Sequence, residues 1–168
     1  MQGEGGIRPL TSEMLSHIRQ VCDAQGLLLI LDEVQCGIGR SGKLFAYETF
    51  GIEPDILASA KGLGGGFPIG ACLVSEKVGQ HMVLGTHGST FGGNPLAAAV
   101  GNAVLDLVFE PGLLENVQKQ AETLRAGLEE LVSECPAVLS KVSGLGLMIG
   151  ARCEIPNVEL MTALRQNR

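Results

Sequence analysis

The segment LLLILDE, residues 27–33, indicates the fold class of this 168-residue sequence. Its leading apolar run predicts a strand buried on both faces of a parallel sheet, because a strand with one solvated face would alternate apolar and polar side chains. Similar short strands are predicted at 56–60, immediately before Lys61, and at 70–75. The first two strands therefore end at ionisable side chains, Asp32 and Lys61, on the edge where parallel sheets bind ligands.

Two helices are predicted around these strands. Thr11 or Ser12 can cap the first helix, whose apolar residues recur with helical spacing until Gly26 ends it. The dipeptide Asn94-Pro95 predicts the start of the second, since a capping asparagine followed by proline is typical of a helix N-terminus. This second helix runs to Phe109 and is apolar on nearly all sides, so we expect it to be buried.

The segment Glu110–Gly112 breaks the second helix and marks a candidate domain boundary. Beyond it the sequence predicts an amphipathic helix at 113–135, strands at 138–142 and 145–152 split by Gly144, and a helix from near Asn157. Strands that alternate with helices predict an α/β fold with a mostly parallel sheet flanked by helices. We therefore expect a larger domain in residues 1–110 and the start of a small α+β domain in residues 111–168.

Charge and cysteine content narrow the classes of function. The sequence contains 12 Lys and Arg against 18 Asp and Glu, a net charge of −6, without a basic block. This balance argues against nucleic acid or an anionic membrane surface as a partner. No apolar run approaches the roughly 18 residues of a membrane span, and no signal peptide is expected. The five cysteines form no C-x-x-C pair, which favours reduced thiols in a cytoplasmic protein over disulfides or a zinc site.

The pair Asp32 and Lys61 suggests one particular chemistry. A lysine in a buried setting loses proton affinity and becomes a usable amine nucleophile. An acid at the neighbouring strand end can keep a heterocyclic nitrogen protonated. Pyridoxal 5′-phosphate (PLP) needs both groups, a lysine for covalent attachment and an acid on its pyridine nitrogen. On these two residues alone, a structural ion pair remains the alternative interpretation.

The motifs around these two residues occur in a characteristic order. They are DEVQ at 32–35, GIGRSGK at 37–43, PD at 54–55, AKG at 60–62, GGGFPIG at 64–70 and HGSTFGGNP at 87–95. This series resembles the class III PLP-dependent aminotransferases, in the branch that acts on ω-amino groups. The segments GKLFAYE at 42–48 and GGGFPIG are most similar to members that use N-acetylornithine. The resemblance extends over essentially the whole chain and is most specific up to Pro95.

The resemblance implies roles around the cofactor ring for four residues. Lys61 matches the lysine that holds the cofactor covalently and moves the proton during the reaction. Asp32 matches the acid on the pyridine nitrogen, and Val34 matches the apolar side chain on one face of the ring. Gln35 matches the donor to the phenolic oxygen of the ring.

Three further residues are implied in binding the cofactor phosphate and the substrate. Thr90, with Ser89 beside it, matches the hydroxyl that reaches the phosphate. In this family that contact comes from the other subunit, so the resemblance implies a homodimer. Glu4, in the segment QGEGG at 2–6, matches an acidic residue near the substrate. No metal ion is implied.

The resemblance also implies an activity and a fold. The expected reaction moves an amino group from N-acetylornithine to 2-oxoglutarate, in arginine biosynthesis, on part of the type I PLP-dependent transferase fold. Members of the family are more than twice as long, and their phosphate loop, ring-stacking aromatic residue and carboxylate-binding arginine match no part of this sequence. We therefore expect an internal fragment with little or no activity by itself and with apolar surfaces that favour aggregation.

The same motifs also resemble those of other classes of function. LLLILDE resembles a Walker B strand and GIGRSGK mimics a P-loop, but Leu44 stands where a magnesium-binding hydroxyl is needed, and the acidic strand comes first. A nicotinamide-binding loop would use Gly62 and Gly64, but Phe67 replaces its third glycine. Two alternatives stay open: a non-catalytic aminotransferase remnant, and a family member that uses ornithine, succinylornithine or 4-aminobutyrate.

Overall fold

The computed structural model describes residues 1–167 as a mixture of helices and strands. The helices are α1 (Ser12–Gln25), α2 (Glu76–Gly79), α3 (Pro95–Val108), α4 (Leu113–Glu134) and α5 (Asn157–Gln166). The strands are β1 (Ile30–Asp32), β2 (Ile56–Ser59), β3 (Ala71–Val74), β4 (Leu139–Leu145) and β5 (Met148–Cys153). Short 3-10 helices cover Ala46–Phe50 and Lys61–Gly64. The elements that the sequence predicts are therefore present, with small shifts at their ends.

Helix α1 begins and ends at the residues that the sequence indicates. Thr11 Oγ1 accepts a hydrogen bond from Met14 N at 3.2 Å, which satisfies one of the free amides of the first turn. Gly26 closes the helix in the left-handed conformation at φ 66°. The inner face of α1 joins the main apolar cluster, which consists of Leu15, Cys22, Leu29 and Ile52. This cluster holds α1 against the residues that lead into β1 and β2.

The first three strands form one sheet in the order β1-β2-β3. β1 and β2 are parallel, with Asp32 opposite Ala58, whereas β3 runs antiparallel to β2, with Ala71 opposite Ser59. The structure thus adds an antiparallel strand to the parallel pair. The connection over 60–70 turns tightly through Gly65 and Gly66 and contains no crossover helix that could carry the chain back to the other end of β2.

The apolar surface of this sheet and of α3 is less buried than the sequence predicts. Leu27 and Ile30 are 54% and 62% exposed, so the expected burial of the first strand on both faces is wrong for residues 1–167. Helix α3 was expected to be buried as well, but Leu107 on it is 55% exposed, and its buried residues are Ala97, Gly101 and Val108. The expected exposure of apolar surface is confirmed.

Helix α4 packs against the β4–β5 hairpin in the second part of the chain. Arg125 Nη2 donates to the Gly144 carbonyl oxygen at 2.8 Å, which attaches the helix to β4. The sequence predicted a break at Gly144, but this residue pairs with Ile149 inside the hairpin, and the turn lies at Gly146 and Leu147. The break was misplaced because both glycines have positive φ, and only the strand pairing distinguishes a turn from a distorted strand.

The segment 37–42 joins the two parts of the chain. The Arg40 carbonyl oxygen accepts from Leu147 N at 2.9 Å, at the hairpin turn. The Gly42 carbonyl oxygen accepts from Gln118 Nε2 on α4 at 2.9 Å. The division into residues 1–110 and 111–168 remains a prediction. Within residues 1–167 no single helix is both long and apolar enough to cross a bilayer, and only the pair α3–α4, bent by 68°, meets these criteria together.

Candidate functional site

Lys61 lies two residues after Ser59, the carboxyl end of β2, at the first position of a 3-10 helix. Its φ is +47°, and the neighbouring loop contains a second non-glycine residue in the left-handed region, Ile38 at φ +53°. Such conformations cost about 1–3 kcal/mol each and persist only where the surrounding packing enforces them. Ile38 packs beside Gly62, the residue after Lys61, since a Cβ on Gly62 would lie 3.3 Å from Ile38 Cβ.

A cavity of about 360 Å³ opens beside Lys61. Val34 and Gln35 line it, so the structure brings together three residues that the sequence singled out from two separate motifs. Arg40 and the hairpin residues 147–149 also line it and were not predicted there. Their contribution follows from the docking of the hairpin turn on segment 37–42, a long-range contact that no local pattern indicates.

Asp32 lies at the carboxyl end of β1, next to the strand that leads to Lys61. Its Oδ1 accepts a hydrogen bond from Val34 N at 2.9 Å, so the carboxylate is attached to the first turn of the DEVQ motif. Asp32 lines a different cavity, of about 500 Å³, together with Tyr47. No ion pair joins Asp32 to Lys61. The structure therefore places both residues on one sheet edge but not in one cavity.

Glu33, next to Asp32, is an anchoring residue that the sequence did not single out. Its side chain is 3% exposed and accepts hydrogen bonds from Ala46 N at 3.0 Å and Tyr47 N at 2.9 Å. The Cys36 thiol donates to the same carboxylate at 3.0 Å. Burial of the thiol, reinforced by this carboxylate, raises the pKa of Cys36 to about 12. Glu33 therefore fixes the DEVQ turn to the segment after GIGRSGK.

The N-terminal segment that contains Glu4 packs beside Gln35. Gln2 N donates to the Arg8 carbonyl oxygen at 3.1 Å, which closes the segment into a loop. A Cβ on Gly3 would overlap the Gln35 side-chain oxygen, so the Gly3 backbone packs closely against this side chain. Glu4 follows at once and is exposed, and it does not line the Lys61 cavity.

Ser89 and Thr90 lie in the exposed loop between α2 and α3. Neither lines the Lys61 cavity. The end of this loop is ordered by the predicted cap, since Asn94 Oδ1 accepts from Ala97 N at 2.9 Å. Both residues are therefore exposed and lie outside the Lys61 cavity, and their expected contact with a phosphate stays a prediction.

The whole chain resembles proteins of known activity. The family model described as Aminotransferase class-III matches residues 1–167. The acetylornithine aminotransferase of Mesorhizobium japonicum is 57% identical over 165 residues, which are 98% of this chain and 41% of that protein. The solved N-acetylornithine aminotransferase of Stenotrophomonas maltophilia K279a is 43% identical with a TM-score of 0.80, over 91% of this chain and 39% of that one.

A second solved structure extends the comparison. Taurine:2-oxoglutarate aminotransferase from Bifidobacterium kashiwanohense, in complex with PLP and glutamate, is 28% identical with a TM-score of 0.84, over 91% of this chain and 35% of that one. These likenesses confirm the predicted fold class and the resemblance stated from the motifs. The chain spans about two fifths of the length of the curated relatives it matches.

Proposed function

The chain belongs to the class III aminotransferases, and we propose that it forms the lysine-bearing part of an enzyme that transfers an amino group from N-acetylornithine to 2-oxoglutarate. The observation that supports this proposal most directly is the cavity that combines Lys61 with Val34 and Gln35. The names of the most similar relatives support the choice of N-acetylornithine as donor. We further propose a cytoplasmic enzyme of arginine biosynthesis.

Class III aminotransferases depend on PLP in general, and the residues of the Lys61 cavity suit that cofactor. The cavity offers an amine from Lys61, an amide donor from Gln35 and an apolar wall from Val34. When bound, PLP supplies an electron-accepting ring that stabilises negative charge on the substrate carbon bearing the transferred nitrogen. These side chains are therefore the ones we propose to hold the ring.

Two ionisable groups are proposed to move and hold protons. Lys61 Nζ would hold the cofactor covalently. Once displaced by the substrate amine, it would act as the general base that takes the proton from the substrate carbon and then as the general acid that delivers it to the cofactor. Asp32 is proposed to keep a proton on the ring nitrogen, although its side chain lines a cavity separate from that of Lys61. Asp32 Oδ1 accepts from Val34 N, so Oδ2, which has no hydrogen-bond partner within residues 1–167, is the oxygen proposed for this contact.

The remaining predicted residues are proposed to act at a dimer interface and on the substrate. We propose that Ser89 and Thr90 bind the cofactor phosphate of a partner subunit in a homodimer, which is consistent with their exposure. Glu4 is proposed to act near the substrate carboxylate, because its neighbour Gly3 packs on Gln35. Residues 1–110 are proposed to carry the cofactor contacts, and residues 111–168 to belong to the small domain.

Attachment of the cofactor can be tested on the 168-residue chain. After addition of PLP and reduction with borohydride, peptide mass mapping should find the label predominantly on Lys61. Lys61→Ala should lose this label, whereas Lys43→Ala, a change at an exposed lysine outside the cavity, should keep it. Equal labelling of several lysines, or unchanged labelling in Lys61→Ala, would contradict the proposal.

We propose that the transfer reaction requires a longer protein and that the chain alone has little or no turnover. The chain can replace its counterpart in the Mesorhizobium japonicum relative, with which it is 57% identical. That chimera should form glutamate from N-acetylornithine and 2-oxoglutarate, and Lys61→Ala should abolish this activity. Faster turnover with ornithine or 4-aminobutyrate would instead assign a different donor.

A further inference from the structure

A basic cleft of about 910 Å³ lies between the N-terminal segment and the β4–β5 hairpin, and we propose that it binds a small polyanion. Its charged lining residues are Arg8, Arg125, Lys141 and Arg152, and no acidic residue lines it. The ligand we infer carries at least two carboxylate or phosphate groups. The cleft is separate from the Lys61 cavity, with which it shares only Ile7.

Two of these cations are forced together by the register of the hairpin. Lys141 on β4 is directly opposite Arg152 on β5. Directly opposed side chains lie on one face with Cβ atoms about 5 Å apart, and like charges in this arrangement are destabilising. A bound anion between them would turn this repulsion into attraction, which favours an anionic ligand at this position.

The other two cations come from separate elements that the structure attaches to β4. Arg125 Nη2 donates to the Gly144 carbonyl oxygen at 2.8 Å, which holds its guanidinium against the strand. Arg8 lies on the opposite wall, which is tied to β4 by a 2.6 Å hydrogen bond from Ser143 Oγ to the Ile7 carbonyl oxygen. Positive groups therefore face the cleft from three elements held in place by these contacts.

Carboxylates of the chain neutralise this charge only at the rim. Arg125 and Arg152 have Glu129 and Glu154 at 3.8 Å, and these two acids are 59% and 43% exposed. Within residues 1–167, Arg8 and Lys141 have no carboxylate within 4.0 Å. A third of the chain's 12 Lys and Arg thus line one cleft of a protein whose net charge is −6.

The chemistry of the lining residues specifies the class of ligand. Arginine presents planar pairs of N–H groups that match carboxylate and phosphate oxygens, and such charge-assisted hydrogen bonds are stronger than neutral ones. The cations project from both walls of a cleft that is much larger than one ion. A small molecule with several anionic groups can contact both walls at once, whereas a single halide or acetate ion cannot.

Binding can be measured by calorimetry on the 168-residue chain at constant ionic strength, with citrate and pyrophosphate as the ligands and chloride and acetate as monovalent controls. We expect citrate or pyrophosphate to bind at least tenfold more tightly than acetate and to raise the melting temperature. Preference for citrate would assign a polycarboxylate ligand, and preference for pyrophosphate a phosphate ligand. Equal affinity for citrate, pyrophosphate and acetate would overturn the proposal.

Variants separate the cleft from general charge effects. The pair Lys141→Gln and Arg152→Gln should weaken binding at least tenfold, whereas Lys43→Gln with Lys119→Gln, two exposed lysines outside the cleft, should change it less than twofold. Without ligand, Lys141→Gln should raise the melting temperature, because the repulsion is relieved.

Arg8→Gln, on the other wall, gives a second test that leaves the hairpin intact. Lys61→Ala should bind normally, so failure of the cofactor proposal and of this one are distinguishable. Unchanged binding in the cleft variants would contradict the site.

Discussion

Arg19 Nη1 lies 2.8 Å from Asp55 Oδ2, and this ion pair attaches the middle of α1 to the residue that precedes β2. The same carboxylate oxygen accepts from Leu29 N at 2.8 Å, just before β1. Arg19 also donates to the Glu53 carbonyl oxygen at 3.2 Å. The Arg19 and Asp55 side chains are only 17% and 15% exposed, so solvent weakens the pair less than it would at the surface. This contact therefore joins α1 to one end of the sheet, and Lys61 lies at the other end.

The first prediction concerns the pH dependence of stability. The hydrogen bond from Leu29 N, followed by that from Arg19, lowers the pKa of Asp55. Since its folded-state pKa lies below the unfolded-state value of about 3.9, Asp55 contributes stability that is fully present above that pH and is lost as the pH falls through the folded-state pKa. Asp55→Asn should remove this part of the acid sensitivity in urea unfolding curves recorded from pH 7 to about pH 2.

At pH 7 the same substitution should lower the free energy of unfolding by about 1.5–3 kcal/mol, as expected for loss of a hydrogen-bonded charge that is mostly buried. Asp23→Asn is the matched control, because Asp23 pairs with the same arginine but is 66% exposed. It should cost less than about 1 kcal/mol. Equal losses in the two variants would show that burial does not strengthen the Arg19–Asp55 pair.

A second prediction concerns Glu33 and the buried thiol beside it. Glu33→Ala leaves the amides of Ala46 and Tyr47 without an acceptor, at a cost of about 1–3 kcal/mol for each donor. Glu33→Gln keeps one acceptor oxygen and should cost less. It also removes the carboxylate that helps to raise the pKa of Cys36, so that pKa should fall.

The thiol effect can be followed by the rate of reaction with a disulfide reagent between pH 8 and 10. Burial is the main cause of the high pKa of Cys36, so the residue should still react more slowly than exposed Cys135 in the Glu33→Gln variant. An unchanged Cys36 rate after Glu33→Gln would contradict the assigned hydrogen bond.

The third prediction compares two glycines, one at which a Cβ would collide with the backbone and one at which a Cβ would meet nothing. Gly146 has φ +57°, and a Cβ there would lie 2.6 Å from the Arg40 carbonyl oxygen and collide with the Ser41 backbone. Gly146→Ala should therefore destabilise the chain by about 2 kcal/mol or more, through both strain and lost docking of the hairpin.

Gly127 provides the control, since it lies within α4 and a Cβ there would meet nothing within 4 Å. Gly127→Ala should stabilise the chain by about 0.5–1 kcal/mol, because alanine has the higher helix propensity. Chemical denaturation of both variants measures the difference. If Gly146→Ala proved neutral, the close approach of the hairpin turn to segment 37–42 would be wrong.

The fourth prediction concerns the exposed apolar face of α3. Leu96 and Leu107 are 63% and 55% exposed on this helix. Exposed apolar groups promote self-association, so Leu96→Gln with Leu107→Gln should reduce light scattering and sedimentation at high protein concentration. The free energy of unfolding should change by less than about 1 kcal/mol, because little burial is lost.

Val108→Gln is the contrasting variant on the same helix, since Val108 is buried. It should lower stability by about 2 kcal/mol or more without improving solubility, because it places an unpaired amide in an apolar contact. Similar aggregation of the Leu96→Gln, Leu107→Gln variant and the parent chain would show that this face does not drive self-association.

Local sequence determined the elements and several of the candidate site residues. Thr11, Gly26 and Asn94 act at the helix ends that their side chains and backbone preferences predict, because capping depends on residues within one turn. The short strands and the order of the motifs identified Asp32 and Lys61 as residues at the carboxyl ends of neighbouring strands. Those inferences needed only contacts between residues close in the chain, together with the general behaviour of parallel sheets.

Tertiary structure alone decided the direction of β3, the turn at Gly146, the anchoring by Glu33 and the basic cleft between Arg8 and Arg152. Each depends on segments that are far apart in sequence, and local periodicity carries no information about which of them meet. Local sequence also does not predict that Asp32 and Lys61 line two different cavities. The orientation of a side chain at a strand end is set by the turn that follows the strand.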